Sequence, residues 1–345
     1  MARIALDAMG GDLAPQAPIA GALLALAELE PTHSLLLVGQ TDVVTAELDR
    51  QLAGEHAHLR PLRDRIIIVE APEVIGMSDK PTAAIRGKRH SSMVIGLELH
   101  ASGQADAFVS AGNTGAQMAA SVLLLKLLPG LTRPAIATVF PTANRPVVVL
   151  DAGANVDCSP EELVQFARLG AVYAEDILGR ESPTVALLSI GEEPEKGNAA
   201  VKEAHKMLGQ SDPHFIGNVE GRDVLAGRGA RGPVDVVVCD GFVGNVMLKF
   251  YESVPGMISD MLTKAGAPRE LLAKAFRGFD YSDYGGAPLL GVKGVSIISH
   301  GSSSPRAIKN AIGVALRAID TEMVAHLARR LETATVSDAP VGEAS

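Results

Sequence analysis

The chain has 345 residues, of which 47% are hydrophobic and 21% charged, enough for one large globular unit or for two domains sharing an interface. Its formal net charge of -9 opposes binding to nucleic acid, and no strong basic patch offsets it. Two cysteines far apart, Cys158 and Cys239, give neither a disulfide framework nor a thiolate metal site and fit a reducing, cytoplasmic setting.

The opening stretch MARIALDAMGGD breaks its apolar run at Asp7, too early for the core of a signal peptide. Ten strands are predicted after that start, in chain order: RIALDA (3–8), SLLLVG (34–39), RIIIVE (65–70), ADAFVS (105–110), AIATVF (135–140), PVVVLD (146–151), TVALLSI (184–190), PHFIGN (213–218), DVVVCD (235–240) and VSIISH (295–300). Segments of helical period separate them. That alternation predicts an α/β protein with a mostly parallel sheet covered by helices on both faces. The longest uncharged run, 107–125, carries Ser110, Gly112, Asn113, Thr114, Gly115 and Gln117 in its middle and is therefore no membrane span.

Several strands run into loops of glycine and small polar residues: DAMGGD, SAGNTGA, LDAGANVD, SIGEEPEKGN, CDGFVGN and SHGSSSP. In open sheets such loops line the ligand crevice, and backbone N–H groups at a following helix N-terminus suit an anion. The phosphate- or substrate-binding candidates are Asp7, Gly10, Gly11, Asp12, Asn113, Thr114, Gly115, Asp151, Asn155, Asp240, Gly241, His300, Ser302 and Ser303. For a single loop the plainer reading is a tight turn. Six in one chain favour a shared site. SAGNTGA lacks the Gly-Lys-Ser/Thr ending of a phosphate-binding P-loop, and no GxGxxG follows the first strand. Asp7 and Asp12 form an incomplete Mg²⁺ site, with no third carboxylate fixed nearby, so metal is the weaker reading.

FPTANRP (140–146) is the expected crossing point between two parts of the chain. The parts are 1–140 with 296–331, then 141–295, then a flexible tail over 332–345. The stretch DYSDYGGAPLLGVKG (280–294) is too rich in glycine and turn formers to predict a strand or a helix.

The strings DAMGGD, SAGNTGA, DAGANVD, EEPEKGN, DGFVGNVMLK, DYSDYGGAPLLGVKG and HGSSSP, in this order from Asp7 to Pro305, closely resemble those of the bacterial phosphate acyltransferases of the PlsX family. The resemblance implies a three-layer α/β/α Rossmann-like fold of the isocitrate/isopropylmalate dehydrogenase and phosphotransacetylase type. It implies transfer of a fatty acyl group from acyl-acyl carrier protein to inorganic phosphate, giving acyl phosphate for phospholipid synthesis. A homodimer and the absence of a metal or organic cofactor are implied with it. Phosphate is itself the nucleophile, so no activated Ser or Cys is needed, and no GxSxG elbow occurs.

Lys196 and Asn245 match positions in the family's proposed active site and are the leading catalytic candidates: an ammonium for phosphate or developing charge, and an amide donor for an oxyanion. The alternatives are a solvated lysine at a helix start and an ordinary helix N-cap. His300 offers a phosphate contact or a proton relay, against a structural hydrogen-bond partner. Arg86, Lys88 and Arg89 form the candidate carrier-docking surface, with Arg86 and Arg89 expected on one helix, about 60° apart at ~100° per residue.

From Met247 to Met261 apolar residues recur at helical spacing, with Pro255 expected to bend or break the element. Past it Met261, Leu262, Leu271, Leu272, Ala275 and Phe276 alternate with Lys264, Arg269, Lys274 and Arg277, the composition of a tip in peripheral contact with a membrane. Two other functions stay open. An NAD-dependent decarboxylating dehydrogenase needs a carboxylate cluster and an Arg-rich loop, neither legible here; a non-catalytic acyl-carrier or phosphometabolite sensor needs neither.

Overall fold

The computed structural model describes residues 1–142, 144–268, 270–272 and 284–337. In chain order its strands are β1 (Arg3–Asp7), β2 (Ser34–Gly39), β3 (Ile66–Glu70), β4 (Ala107–Ser110), β5 (Ala135–Ile136), β6 (Thr138–Phe140), β7 (Val147–Leu150), β8 (Val185–Leu188), β9 (Phe215–Val219), β10 (Arg228–Gly229), β11 (Gly232–Pro233), β12 (Val236–Val238), β13 (Ala287–Leu290) and β14 (Ser296–Ile298). The helices are α1 (Gln16–Glu28), α2 (Thr41–Ala53), α3 (Pro81–Gly87), α4 (Ser92–Ala101), α5 (Thr114–Leu124), α6 (Pro160–Leu178), α7 (Ala199–Ser211), α8 (Gly221–Ala226), α9 (Gly241–Lys264), α10 (Pro305–Asp320) and α11 (Met323–Ser337). The alternation is that of an α/β protein with mostly parallel sheets.

The strands form two main sheets, ordered β3-β2-β1-β4-β14-β13-β5 and β6-β7-β12-β8-β9, with β10 and β11 as a separate ribbon. Each of the ten predicted strand segments yields strand, since each is a short β-branched or aliphatic run bounded by small or turn-forming residues. AIATVF yields two. Ile136 and Ala135 pair with Leu289 and Leu290 in the first sheet, whereas Thr138 to Phe140 pair antiparallel with Val149 to Val147 in the second. The passage between sheets thus falls at Ala137, and 140–146 joins β6 to β7 within one sheet.

β13 corrects the expectation that 280–294 holds no strand. Local glycine and proline signals are overridden by pairing on both sides, with β14 and with β5. Pro288 fits because its carbonyl is what the neighbour uses, accepting from Ala137 N at 3.1 Å. Pro255 likewise lies inside α9 without ending it. α3 stops at Gly87 and α4 starts at Ser92, so Arg86 and Arg89 do not share a helix. α11 continues through Ser337, and the remainder of the expected tail lies outside the described residues.

α6 shows how local sequence sets an element. Ser159 accepts from the backbone N–H of Glu162 while the Glu162 side chain accepts from Ser159 N, Pro160 occupies the first turn, and Gly179 ends the helix at φ +66°. Its apolar face buries Phe166, Leu169 and Tyr173 in a core shared with Ile4 and Leu6 of β1, Leu150 of β7 and Ile312 of α10.

Candidate active site

The loops after β1 and β4 meet through their side chains. Asp7 is 2% exposed; its Oδ2 accepts from Ser110 Oγ at 2.7 Å and its Oδ1 from Met9 N at 3.1 Å. Burial pushes this carboxyl above its ordinary range, against the opposing pull of the Ser92 and Ser110 hydroxyls. A Cβ at Gly10 would fall 2.6 Å from Asp7 Oδ2, so glycine is what lets the loop close here. Gly11 takes φ +100°, and Asp12 N donates to Gly301 O at 2.7 Å, tying this loop to the one after β14. Asn113 caps α5 by accepting from Ala116 N, and its Nδ2 donates to the carbonyls of Met77 and Asp79, each at 3.0 Å. Gly115 backs onto Pro81 of α3. These candidates hold loops to one another.

The loop after β7 is organised by Asp151. Its Oδ1 accepts from Ile136 N, Gly153 N and Ala154 N, and its Oδ2 from Asn155 N and Asn155 Nδ2 at 2.6 and 2.9 Å. Burial raises this carboxyl too, with those N–H groups pulling the other way. Asn155 also donates to Pro134 O at 2.8 Å, while its own carbonyl accepts from Gly241 N at 2.7 Å. A Cβ on Gly244 would strike the Asp151 carbonyl oxygen. α9 is thereby seated directly against the Asp151 loop.

Asp240 is the N-cap of α9, accepting from Val243 N at 2.8 Å. Asn245 is consequently not a cap but a second-turn residue. It is exposed beside Gly153, and its amide makes no hydrogen bond among the described residues.

A cavity of about 390 Å³ lies where the two sheets approach, bounded by Thr114, Thr138, Ala152, Gly153, Asn245, Lys249, Glu252, Ala287, Ile298 and the loop His300 to Ser304. Five sequence-predicted residues line it: Thr114, Asn245, His300, Ser302 and Ser303. Lys249, Glu252 and Tyr284 join them from outside the prediction. Lys249 Nζ lies 2.8 Å from Glu252 Oε2 and 3.3 Å from His300 Nε2, and His300 Nδ1 lies 2.8 Å from Ser302 Oγ. The Ser302 backbone N–H also donates to Nδ1 at 3.3 Å, so the ring is held between Lys249 on one nitrogen and Ser302 on the other. Lys249 was findable: it stands four residues beyond Asn245, on the same helix face.

Asp7, Gly10, Gly11, Asp12, Asn113, Gly115, Asp151, Asn155, Asp240 and Gly241 do not line this hollow. Nor does Lys196 line it. That lysine is exposed in the loop between β8 and α7, its N–H donating to Glu193 O at 3.0 Å. β8 is the direct parallel neighbour of β12, so the Lys196 loop and the start of α9 leave the same carboxyl end of that sheet.

Of the carrier candidates, Lys88 is drawn inward, donating to Asp79 Oδ2 at 2.6 Å and Val74 O at 2.8 Å. Its ammonium holds the Asp79 carboxyl below the ordinary range. Arg86 and Arg89 are exposed. In the expected membrane tip Met261, Leu262 and Leu271 are exposed and Leu272 is buried, while Arg269, Lys274, Ala275, Phe276 and Arg277 lie outside the described residues. Among the described residues no helix is long and apolar enough to cross a membrane.

Residues 2–326 match the family described as fatty acid synthesis protein. The chain is 48% identical over 342 residues to the phosphate acyltransferase of Desulforamulus reducens, covering 96% of this chain and 98% of that one. It is also 48% identical over 334 residues to the phosphate acyltransferase of Heliobacterium modesticaldum, covering 94% and 96%. In three dimensions it is similar to a phosphotransacetylase from Streptococcus pyogenes, with a TM-score of 0.59 at 17% identity over 96% of this chain and 94% of that one. A branched-chain phosphotransacylase from Enterococcus faecalis gives a TM-score of 0.59 at 16% identity, covering 92% and 99%. At such identities the structural likeness establishes the fold, three layers of helix, mostly parallel sheet and helix. The near full-length sequence match establishes descent: the chain is an acyltransferase belonging to the fatty acid synthesis protein family, whose relatives in these bacteria are phosphate acyltransferases.

Proposed function

We propose that the chain transfers a fatty acyl group from acyl-acyl carrier protein to inorganic phosphate, producing an acyl phosphate for phospholipid synthesis at the cytoplasmic side of the membrane. The observation that carries this reading is the single hollow into which α9 and the loop before α10 turn their polar groups. Ser302 and Ser303 sit beside the N-terminus of α10, with Lys249 shared between Glu252 and the hollow, donors that suit a phosphate. One turn before Lys249 on α9, Asn245 offers an unengaged amide to a thioester carbonyl.

In the reaction a phosphate oxygen attacks the carbonyl carbon, a C–O bond forms, and the carbonyl pair moves onto an oxygen facing Asn245. Collapse of this adduct breaks the C–S bond. The hydrogen phosphate proton must leave and the thiolate must gain one. His300, whose imidazole lines the hollow between Lys249 and Ser302, is the group suited to carry it. Lys196, in the loop after the neighbouring strand, serves the arriving carrier or its carbonyl from the solvent side, with Arg86 and Arg89 on the carrier's path.

The test is release of carrier thiol from acyl-acyl carrier protein by the purified enzyme. Release should require phosphate, and Asn245→Ala, at an exposed position, should lower kcat by ~100-fold with the melting temperature unchanged, the usual cost of losing an oxyanion donor. No release at saturating phosphate would end this reading.

A further inference from the structure

We propose that the groove between α3 and α5 holds the acyl chain of the donor, an assignment that rests on the acyl-transfer reading. This second cavity, also about 390 Å³, is walled by Ile85 of α3, by Met118, Ala119, Val122 and Leu123 of α5, and by Pro134. Thr82, Arg86 and Asn155 complete its border, but six of the nine lining residues are apolar, so its walls suit hydrocarbon.

Two features join it to the reaction cavity. Thr114 lines the first hollow, and Met118 and Val122, one and two turns further along the same face of α5, line the second. The loop after β7 supplies Gly153 to one and Asn155 to the other, and between them Ala154 packs in one apolar cluster with Leu248 on the reaction side and Met118 on the groove side. A chain whose carbonyl sits by Asn245 would leave the hollow over Ala154 toward Met118. From Thr114 to Val122 the path is about 12 Å at 1.5 Å per residue, and with C–C bonds of ~1.5 Å an extended chain covers it in roughly nine methylenes. Leu123, 64% exposed, forms the outer lip, and Met118 supplies an adaptable wall.

The direct test is calorimetric binding of unreactive acyl-pantetheine thioethers of increasing chain length to the full-length protein. Affinity should rise by up to about fourfold per methylene and level off near nine. Ala119→Phe, which fills the groove, should flatten that dependence while leaving the shortest thioether's affinity within about twofold. Leu123→Gln, at an exposed position that folding does not need, should reduce the gain per methylene. A wild-type affinity independent of length, or an undiminished length dependence in both folded variants, would overturn the assignment. If instead length dependence is present and blocked by Ala119→Phe while no thiol is released from any donor, the acyl-transfer reading fails and the hydrocarbon groove stands.

Discussion

Both oxygens of Asp151 accept N–H groups and both oxygens of Asp7 are hydrogen-bonded, so these buried carboxyls hold their loops in place and do not line the cavity. The consequence appears in their titration. Because burial raises Asp7 above its unfolded value, the folded state holds its proton more tightly. Its contribution is fully present below the unfolded carboxyl pKa and is lost as pH rises through the raised folded value. Asp7→Asn removes the titration. Wild-type stability relative to that variant should therefore fall as pH is raised from the ordinary carboxyl range, at up to about 1.4 kcal/mol per pH unit within the window. Paired denaturant melts measure it; a difference constant with pH, or one growing with pH, would contradict the raised assignment. The sequence placed Asp7, Asn113, Asp151 and Asn245 at strand ends alike. It could not separate those whose partners are backbone groups far away in the chain, such as Gly76 to Asp79 for Asn113, from those left free to meet a substrate.

At the level of elements, the seat of α9 on the Asp151 loop decides where Asn245 and Lys249 point. Gly244 is the contact that permits this approach, and any side chain there collides with the Asp151 carbonyl. Gly244→Ala should cost ~1–3 kcal/mol in stability, the usual range for overpacking. It should also lower kcat more than it raises KM, because the helix carrying the proposed catalytic side chains is displaced. Thermal melts and steady-state kinetics check the two halves; wild-type kcat in a folded variant would show that the seat is not what positions Asn245. The strands themselves were legible from short β-branched runs. β13 was not, because Ala287 to Leu290 become strand through neighbours arriving from residues 135 and 298, and no local pattern records that pairing. The break of AIATVF at Ala137 was hidden for the same reason.

For the molecule as a whole, the reaction cavity is created by the passage of one chain between two sheets, which is why its lining draws on residues from Thr114 to Ala307. α9 borders it and buries little of itself: Phe242, Val246 and Phe250 stand 62%, 53% and 65% exposed at four-residue intervals. We propose that a second copy covers this stripe, giving the homodimer that the sequence resemblance implies. Phe250→Glu should shift the sedimenting species from dimer to monomer; a wild-type protein that sediments as a monomer at micromolar concentration would remove that proposal.

The central claim is that this hollow brings free phosphate to an acyl thioester carbon. Incubation of the enzyme with acyl-acyl carrier protein and radiolabelled inorganic phosphate, following labelled acyl phosphate and free thiol together, addresses it most directly. One label should be incorporated for each thiol released, with both losing ~100-fold in Asn245→Ala. Thiol released without label in the acyl product would mean that water is the nucleophile, and the account would be wrong.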